Sequence, residues 1–281
     1  MSEIKKITDK IIKESLIEDR FDQDKTTDQC IKDKIINFNV VAKEDLILCG
    51  IEIIKNTYNI IKEHDKFKNY PLTISNHKKD GDFINANQII CSGFGDANMI
   101  LAGERVALNL IQHLCGIATK TNKYISLLNN KKIKILDTRK TIPSLRNIQK
   151  YGVKIGGGTN HRFNLSQAIL IKDNHIAICG GIKKTLKNFN NDIEIECDNI
   201  NQVTQALNYK PKIIMLDNMK ISEIKNCSTL IRNANLGTKI EVSGGINLSN
   251  INKYSSLDID YISIGDLTHS VNASDLSLEI C

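Results

Sequence analysis

The sequence predicts an α/β protein in which a smaller α+β unit precedes a parallel sheet. From about residue 130 onward, short runs of β-branched or apolar residues recur, and helix-length segments separate most of them. These connections are too long for hairpins, which indicates parallel pairing. Strand spacing alone does not decide between a barrel and an open doubly wound sheet.

The first hundred residues predict the smaller unit. Isoleucine and leucine recur at helical spacing among the charges of residues 1–20, which favours a helix over the unbroken apolar core of a signal peptide. A long helix is expected from about 97 to 129, capped by Asp96 and interrupted at Gly116. Between these helices the pattern predicts a strand, a helix and a turn, at 38–50, 51–64 and 78–82.

Seven strand candidates form the predicted parallel sheet. Helical segments such as 199–209 and 248–257 lie between them. The candidates are KIKIL (132–136), VKI (153–155), AILI (168–171), DIEIE (192–196), KIIML (212–216), KIEV (239–242) and YISI (261–264).

Composition narrows the class of protein. The excess of 38 Lys and Arg over 32 Asp and Glu suits nucleic acid, a membrane surface or a small anionic substrate. No recognised nucleic-acid motif or basic stripe with interleaved aromatics occurs, and no run approaches the roughly 18 apolar residues of a membrane span. Eight cysteines without metal-ligand spacing indicate reduced, buried thiols. We therefore expect a soluble cytoplasmic protein that binds neither nucleic acid nor a membrane.

Polar residues follow every strand candidate, and in parallel folds ligands bind at these carboxyl ends. They form three groups, which we call the cationic, acidic and glycine sectors. Clustered cations indicate an anionic ligand. Carboxylates indicate that the site binds the hydroxyls of a sugar or Mg²⁺, and glycines indicate that backbone N–H groups bind a phosphate. The cationic sector is Arg139, Lys140, His161, Arg162 and Lys172; the acidic sector is Glu196 and Asp217; the glycine sector is Ser243, Gly244, Gly245 and Gly265.

Six ordered stretches closely resemble the quinolinate phosphoribosyltransferase family. The resemblance extends from DKTTD (24–28) almost to the C-terminus, and matches of this length are far more specific than any short glycine motif. The stretches are ERVALNLIQHLCGIAT (104–119), LDTRKTIPSLRNIQKYGVKIGGGTNHRFNLSQAILIKDNHI (136–176), IEIECDN (193–199), IIMLDNM (213–219), and EVSGGI with YISIGDLTHS (241–246, 261–270).

The resemblance implies an N-terminal α/β sandwich domain, expected over 1–115, and an open α/β barrel of about seven strands over 116–269, with 270–281 packing back on the first domain. It implies a homodimer or an assembly of dimers, in which Arg105 reaches the partner subunit's site. The family commonly has serine at Cys115 and alanine at Gly152 or Val242, which puts local packing in question rather than activity.

The resemblance also implies substrates and roles. Quinolinate and phosphoribosyl pyrophosphate would give nicotinate mononucleotide, pyrophosphate and CO₂, in the biosynthesis of NAD. Arg105, Arg139, His161 and Arg162 would hold the two carboxylates of quinolinate. Lys140 and Lys172 would lie between that pocket and the pyrophosphate, and Thr138 would also bind substrate. Glu196 and Asp217 would face the ribose and Mg²⁺, the glycine sector would bind the 5-phosphate, and His269 would close the pyrophosphate end.

Three alternatives stay open. A relative could transfer phosphoribose to a different base, although the full set of carboxylate-binding residues favours a dicarboxylate. Lys172 could be the Schiff-base lysine of an aldolase, although its charged neighbours argue against an activating apolar pocket. Nucleic-acid binding driven by the net charge of +6 is the third.

Overall fold

The computed structural model describes residues 3–32 and 34–281. It divides the chain into two compact units, the first containing residues up to 122 together with 142–157 and 270–281. The second unit contains 123–141 and 158–269. This division differs from the predicted boundary after residue 115, which falls inside a helix that continues to Leu128.

The first unit is built on a four-stranded antiparallel sheet in the order β12-β1-β5-β3. The last strand of the chain pairs with the first, so Phe38 lies opposite Ile280. The strands are β1 (Ile35–Ala42), β3 (Leu72–Asn76), β5 (Ile89–Asp96) and β12 (Leu276–Ile280), with a separate pair of β2 (Leu46–Ile47) and β4 (Phe83–Ile84).

Five helices belong wholly or mainly to the first unit. Asp96 caps the long helix as predicted, because its Oδ1 accepts hydrogen bonds from the backbone N–H groups of Asn98 (2.8 Å) and Met99 (3.2 Å). The expected interruption at Gly116 is absent from this helix: a Cβ there would lie 2.1 Å from the carbonyl oxygen of Asn272, so glycine permits a close backbone approach. The helices are α1 (Glu3–Asp19), α2 (Lys25–Cys30), α3 (Ile51–Ile61), α4 (Ala97–Leu128) and α5 (Arg146–Ile155).

The strand predicted at 153–155 is wrong, because these residues form the last turn of α5. Ile148, Gly152 and Val153 are buried at helical spacing, and a Cβ on Gly152 would lie 3.0 Å from Ile117. A run of three apolar residues does not distinguish a strand from a helix end. The helical segment that precedes these residues continues through them, so they form the end of a helix.

The second unit contains a six-stranded parallel sheet in the order β6-β11-β10-β9-β8-β7. Strands β6 and β7 do not pair with each other within residues 123–141 and 158–269, so the α/β barrel stays open there. The predicted fold class is thus confirmed, with six strands in place of about seven. The strands are β6 (Lys134–Leu136), β7 (Ile169–Ile171), β8 (Ile193–Cys197), β9 (Ile213–Asp217), β10 (Lys239–Ser243) and β11 (Tyr261–Ser263).

Short helices connect these strands, and the strands themselves are largely buried on both faces, as parallel barrels require. The segment predicted to be helical at 248–257 contains only a 3-10 turn, Ile251–Tyr254. The helices are α6 (Asp173–Cys179), α7 (Ile182–Leu186), α8 (Ile200–Leu207), α9 (Ile221–Asn233) and α10 (Asp266–His269).

All eight cysteines are free. The expectation of buried thiols is wrong for Cys30, Cys179 and Cys281, which are exposed. Within the described part of the chain, no helix combines the length and the apolar character needed to cross a membrane.

Candidate active site

A cavity of about 690 Å³ lies at the carboxyl ends of the second unit's parallel strands. Strand residues reach it at alternate positions, such as Met215 and Asp217 of β9, because alternate side chains share one face of a strand. Of the predicted site residues, all except Arg105 line this cavity: Thr138, Arg139, Lys140, His161, Arg162, Lys172, Glu196, Asp217, Ser243, Gly244, Gly245, Gly265 and His269.

The loop after β6 owes its shape to a buried acid. Asp137 has no exposed surface, and its two carboxylate oxygens accept hydrogen bonds from the backbone N–H of His161 (2.9 Å) and from Nδ2 of Asn160 (2.6 Å). The hydroxyl of Thr138 accepts from the backbone N–H of Lys140 (2.9 Å). Asp137 therefore ties the loop that carries Arg139 and Lys140 to the segment that carries His161 and Arg162.

Two arginine side chains meet in the cationic sector. Nη1 of Arg162 donates to the carbonyl oxygen of Ala168 (2.8 Å), which fixes the guanidinium. Burial, and then the neighbouring charge of Arg139, lower the pKa of Arg162 below its ordinary value. An anionic ligand placed between the two guanidinium groups would relieve this repulsion.

The acidic sector is placed to bind a cation. Carboxylate oxygens of Glu196, Asp198 and Asp217 lie within 4.8 Å of one another. Burial raises the pKa of Glu196, against the opposing effect of Lys172, whose ammonium contacts its carboxylate. Hard oxygen donors of this kind suit Mg²⁺, which also keeps ligands from substrate and water. Asp198 is an addition to the predicted set.

Lys172 does not have the surroundings of a Schiff-base lysine. Its side chain is 44% exposed and forms an ion pair with Glu196. A Schiff-base lysine needs surroundings that favour its neutral amine, whereas a carboxylate in contact with the ammonium group favours the charged form. The aldolase alternative therefore has no support in this geometry.

The glycine sector follows β10 and β11. Gly244 has φ of +92°, and a Cβ at this position would lie 2.2 Å from Oδ1 of Asn218. Both the dihedral angle and the close contact require glycine. Oδ2 of Asp217 accepts a hydrogen bond from Nδ2 of Asn218 (2.6 Å). The backbone N–H of Asn218 donates to the carbonyl oxygen of Ser243 (3.0 Å), so the loop after β9 and the end of β10 support each other.

His161 lies lower in the barrel than its predicted role suggests. Its Nε2 is 3.1 Å from Glu194 and 3.6 Å from Glu241, and its Nδ1 accepts from the backbone N–H of Arg162 (2.7 Å). Burial lowers the pKa of His161, but the hydrogen bonds and charges of the two glutamates outweigh burial and raise it, and burial raises the pKa of Glu194 as well. Because Nδ1 accepts a hydrogen bond, the additional proton belongs to the pair of His161 and Glu194 and lies on the Nε2 side of the ring. Both ring nitrogens thus contact protein groups.

Arg105 belongs to the first unit, where it lies on α4 with 69% of its side chain exposed. Its Nη2 lies 3.6 Å from Oε1 of the adjacent Glu104. This exposure leaves the guanidinium available to another molecule.

Sequence reasoning missed Asp137, Glu194, Asp198 and Glu241 as members of the site. For the glutamates a signal was present, since Glu194 lies two residues before Glu196, and Glu241 two residues before Ser243. Residues two apart on a strand share a face. The lining residues were predicted from their position at the ends of the strand candidates, and alternation along the same strands places these glutamates one layer beneath them.

Comparison with known proteins identifies similar chains over nearly the whole length. The family model "Quinolinate phosphoribosyl transferase, N-terminal domain" matches residues 24–115, and the corresponding C-terminal domain model matches 117–279. A probable nicotinate-nucleotide pyrophosphorylase (carboxylating) from Methanocaldococcus jannaschii is 42% identical over 96% of each chain. One from Bacillus subtilis is 38% identical over 96% of this chain and 92% of its own.

Solved structures give the same result for the fold. The nicotinate-nucleotide pyrophosphorylase from Ehrlichia chaffeensis has a TM-score of 0.88 at 41% identity, covering 97% of this chain and 98% of that one. The enzyme of this name from Francisella tularensis also has a TM-score of 0.88, at 36% identity, with full coverage of both chains.

Proposed function

Because this chain belongs to the quinolinate phosphoribosyltransferase family, we propose that its cavity binds quinolinate beside phosphoribosyl pyrophosphate and joins them. The chain is an enzyme, a pentosyltransferase of the nicotinate-nucleotide pyrophosphorylase (carboxylating) class, and it acts in NAD biosynthesis. Its products are nicotinate mononucleotide, pyrophosphate and CO₂. One observation supports the assignment of the site most strongly: a single cavity is lined by cations, carboxylates and a glycine loop in separate sectors.

The cationic sector is the proposed quinolinate site. The guanidinium groups of Arg139 and Arg162 suit bidentate binding of carboxylates, and quinolinate carries two of them on adjacent ring carbons. Two lysines of this sector lie next to the other sectors: Lys172 pairs with Glu196, and Lys140 lies beside Gly265. In this position their ammonium groups would contact both the dicarboxylate and the pyrophosphate.

The acidic and glycine sectors are the proposed phosphoribosyl pyrophosphate site. Glu196 and Asp217 would hold the ribose hydroxyls, and together with Asp198 they would hold Mg²⁺. When bound, this cation neutralises negative charge on the pyrophosphate. The loop of Gly244 and Gly245 would bind the 5-phosphate through backbone N–H groups, and His269 would close the pyrophosphate end.

The reaction needs positioning and charge stabilisation rather than a covalent nucleophile. The lone pair of the pyridine nitrogen forms the bond to C1 of the ribose, while the C1–O bond breaks and its electron pair leaves with pyrophosphate. The lysine ammonium groups stabilise the charge that grows on the leaving oxygen. The C2–carboxylate bond then breaks, and the cationic ring nitrogen stabilises the electron pair left on C2. A proton added to C2 completes nicotinate mononucleotide.

We propose that the working enzyme is a homodimer or an assembly of dimers, in which Arg105 completes the partner's site. Exposure of this arginine on α4 supports its availability to a second chain. We also propose a cytoplasmic location, which the eight free cysteines support.

The first experiment measures release of ¹⁴CO₂ from quinolinate labelled in its 2-carboxylate, with phosphoribosyl pyrophosphate and Mg²⁺, and detects nicotinate mononucleotide in parallel. Label should appear only when all three components are present, and nicotinate should not replace quinolinate. Pyrophosphate release with another base, without ¹⁴CO₂ from quinolinate, would refute the dicarboxylate assignment and leave the phosphoribosyl site intact.

Mixed dimers test the role of Arg105. The variants Arg105→Ala and Arg139→Ala should each be nearly inactive. If Arg105 acts across a twofold interface, half of the randomly mixed dimers are hybrids with one intact site, so mixing restores about a quarter of the wild-type activity. If Arg105 acts within its own chain, both sites of a hybrid are defective and mixing restores nothing.

A further inference from the structure

Beneath the cavity lies a cluster that the proposed mechanism does not use, which we call the Glu–His–Glu cluster (Glu194, His161 and Glu241). Nε2 of His161 lies 3.1 Å and 3.4 Å from the two carboxylate oxygens of Glu194, and 3.6 Å from Oε2 of Glu241. Glu194 is 5% exposed and Glu241 is fully buried. Two carboxylates buried side by side are costly unless a cation or a shared proton compensates them.

Glu241 makes the arrangement more unusual. Its Oε1 accepts a hydrogen bond from the hydroxyl of Ser263, but its Oε2 is a buried oxygen without a hydrogen-bond partner among the described residues. Nε2 of the His161 ring lies 3.6 Å from this oxygen. Buried polar atoms are rarely left in this state, and each such atom calls for a structural or functional reason.

The cluster separates two cavities. His161 and Arg162 line the cavity at the carboxyl ends, and they also line a second cavity of about 370 Å³ in the same unit. The second cavity includes Ile213 and Tyr261, the first residues of β9 and β11, so it lies toward the amino ends of the strands. The cluster therefore forms a layer of the barrel directly under the substrate cavity.

The orientation of the imidazole ring argues against a metal ion here, although the three side chains are close enough to bind one. Nδ1 of His161 accepts the backbone N–H of Arg162 at 2.7 Å, so the ring carries its hydrogen on Nε2. A nitrogen that carries hydrogen cannot coordinate a metal. Nε2–H instead donates to Glu194, and Oε2 of Glu241 lies 3.6 Å from the same nitrogen.

This ring is coupled to the substrate-facing side chains through the backbone. The backbone N–H of His161 donates to Asp137, and the next residue is Arg162, whose guanidinium enters the cationic sector. Rotation of the imidazole would break the contact from the Arg162 amide and would shift that residue.

We propose that Glu194 and Glu241 are positioning residues that hold the ring of His161, Glu194 by accepting its Nε2–H and Glu241 through its buried carboxylate 3.6 Å away, and that they thereby place Arg162 for the substrate. The placement of the ring stands on the contacts of the second unit alone, whereas the identity of the substrate rests on the proposed function. The glutamates themselves do not touch the substrate cavity's contents, since neither lines that cavity.

The first test is NMR of the full-length protein without substrate, with ¹⁵N-labelled histidine. The ring ¹⁵N signals of His161 are assigned as those that disappear in the variant His161→Gln. Their chemical shifts should show hydrogen on Nε2 and should stay constant from about pH 5.5 to 8.5. The facing groups are the carboxylates of Glu194 and Glu241, with the guanidinium of Arg162 beyond them. In the double variant Glu194→Gln/Glu241→Gln, titration should return toward the ordinary midpoint of about 6.5.

Three outcomes of the NMR test would overturn the proposal. They are titration of wild-type His161 near its ordinary midpoint, unchanged signals in the double variant, and a shift of the Nε2 signal on adding one equivalent of Zn²⁺, which would indicate a metal site. None depends on catalysis, so failure here is distinguishable from failure of the proposed function.

The second test is kinetic and uses Glu194→Ala beside the isosteric Glu194→Gln. The alanine variant removes the acceptor and should raise KM for quinolinate about tenfold or more, because small misplacements of binding groups are costly. KM for phosphoribosyl pyrophosphate should change little, and the glutamine variant, which keeps an acceptor oxygen, should be affected less.

The matched control is Asp192→Asn, which removes a carboxylate that is 75% exposed just before β8. It should leave both KM values unchanged. The positioning role is refuted if Glu194→Ala loses affinity equally for both substrates, or if Asp192→Asn changes KM as much as Glu194→Ala does. Either result would mean that the glutamates contribute only to general stability.

Discussion

Replacement of Asp137 by asparagine tests whether the two halves of the cationic sector depend on one buried carboxylate. Its oxygens accept from the backbone N–H of His161 at 2.9 Å and from Nδ2 of Asn160 at 2.6 Å. An asparagine side chain has only one oxygen, so its NH₂ group would face one of these two donors. The variant keeps the shape of the side chain and removes its charge and one acceptor.

The loss can be estimated from these contacts. A hydrogen bond to a charged group contributes about 1.5–3 kcal/mol, and a buried donor left unpaired costs about 1–3 kcal/mol. Because the two effects overlap, we expect Asp137→Asn to lower the free energy of unfolding by about 3 kcal/mol. The displaced segment carries Arg162, so kcat/KM for quinolinate should fall about 100-fold, as misplaced binding groups do.

Urea denaturation and ¹⁴CO₂ release from labelled quinolinate measure the two effects. The control is Asp258→Asn, whose carboxylate is 74% exposed and pairs with Arg232 at 3.2 Å; it should change stability by at most about 1 kcal/mol and leave the kinetics unchanged. If Asp137→Asn keeps kcat/KM within about threefold of wild type, the segment does not need this carboxylate and our reading of the loop is wrong.

Three further predictions follow from the same site. Arg139→Ala should raise KM for quinolinate far more than KM for phosphoribosyl pyrophosphate, and equal increases would contradict the separation of the sectors. Gly244→Ala should raise KM for phosphoribosyl pyrophosphate instead, because a side chain at φ of +92° is strained and displaces the loop. Stability should fall as pH rises from about 6.5 through about 10, because the native state holds a proton on the pair of His161 and Glu194 more tightly than the unfolded chain does. Denaturation at pH 6.5 and 9.5 should show a smaller decline in Glu194→Gln/Glu241→Gln, and an equal decline would exclude the cluster as its source.

The sequence predicts the parallel sheet and the lining of its cavity because both depend on local patterns. A β-branched run such as 213–217 is unambiguous when helices flank it, and the residue that follows a parallel strand lies at the ligand-binding edge. The strand prediction at 153–155 is wrong because three residues are too few to distinguish a period of two from a period of 3.6. In addition, α5 is buried by residues distant in sequence, such as Ile117. Tertiary packing decided that element.

The supporting residues are harder to predict than the lining ones. Asp137 was visible in LDTRKTIP, yet only the folded chain shows that its partners come from residues 160 and 161. Arg105 is harder still, because an exposed arginine on a helix has no local feature that distinguishes it from a solvated one. Its expected role comes from family resemblance alone, and only the mixed-dimer experiment tests it.

Charge balance explains why acids accompany so many cations in this barrel. A cavity lined only by Arg139, Lys140, Arg162 and Lys172 would be disfavoured without its ligand, because like charges in a partly desolvated space repel. Glu196 pairs with Lys172 at the cavity wall, while Asp137 and Glu194 lie beneath the arginines. The buried carboxylates are covered by protein, whereas the arginines line the cavity, so a ligand in the cavity meets the arginines directly. Glu194 and Glu241 thus lower the free energy needed to hold the arginines in place before the dicarboxylate binds. A site formed in advance can stabilise charge electrostatically without rearranging during the reaction.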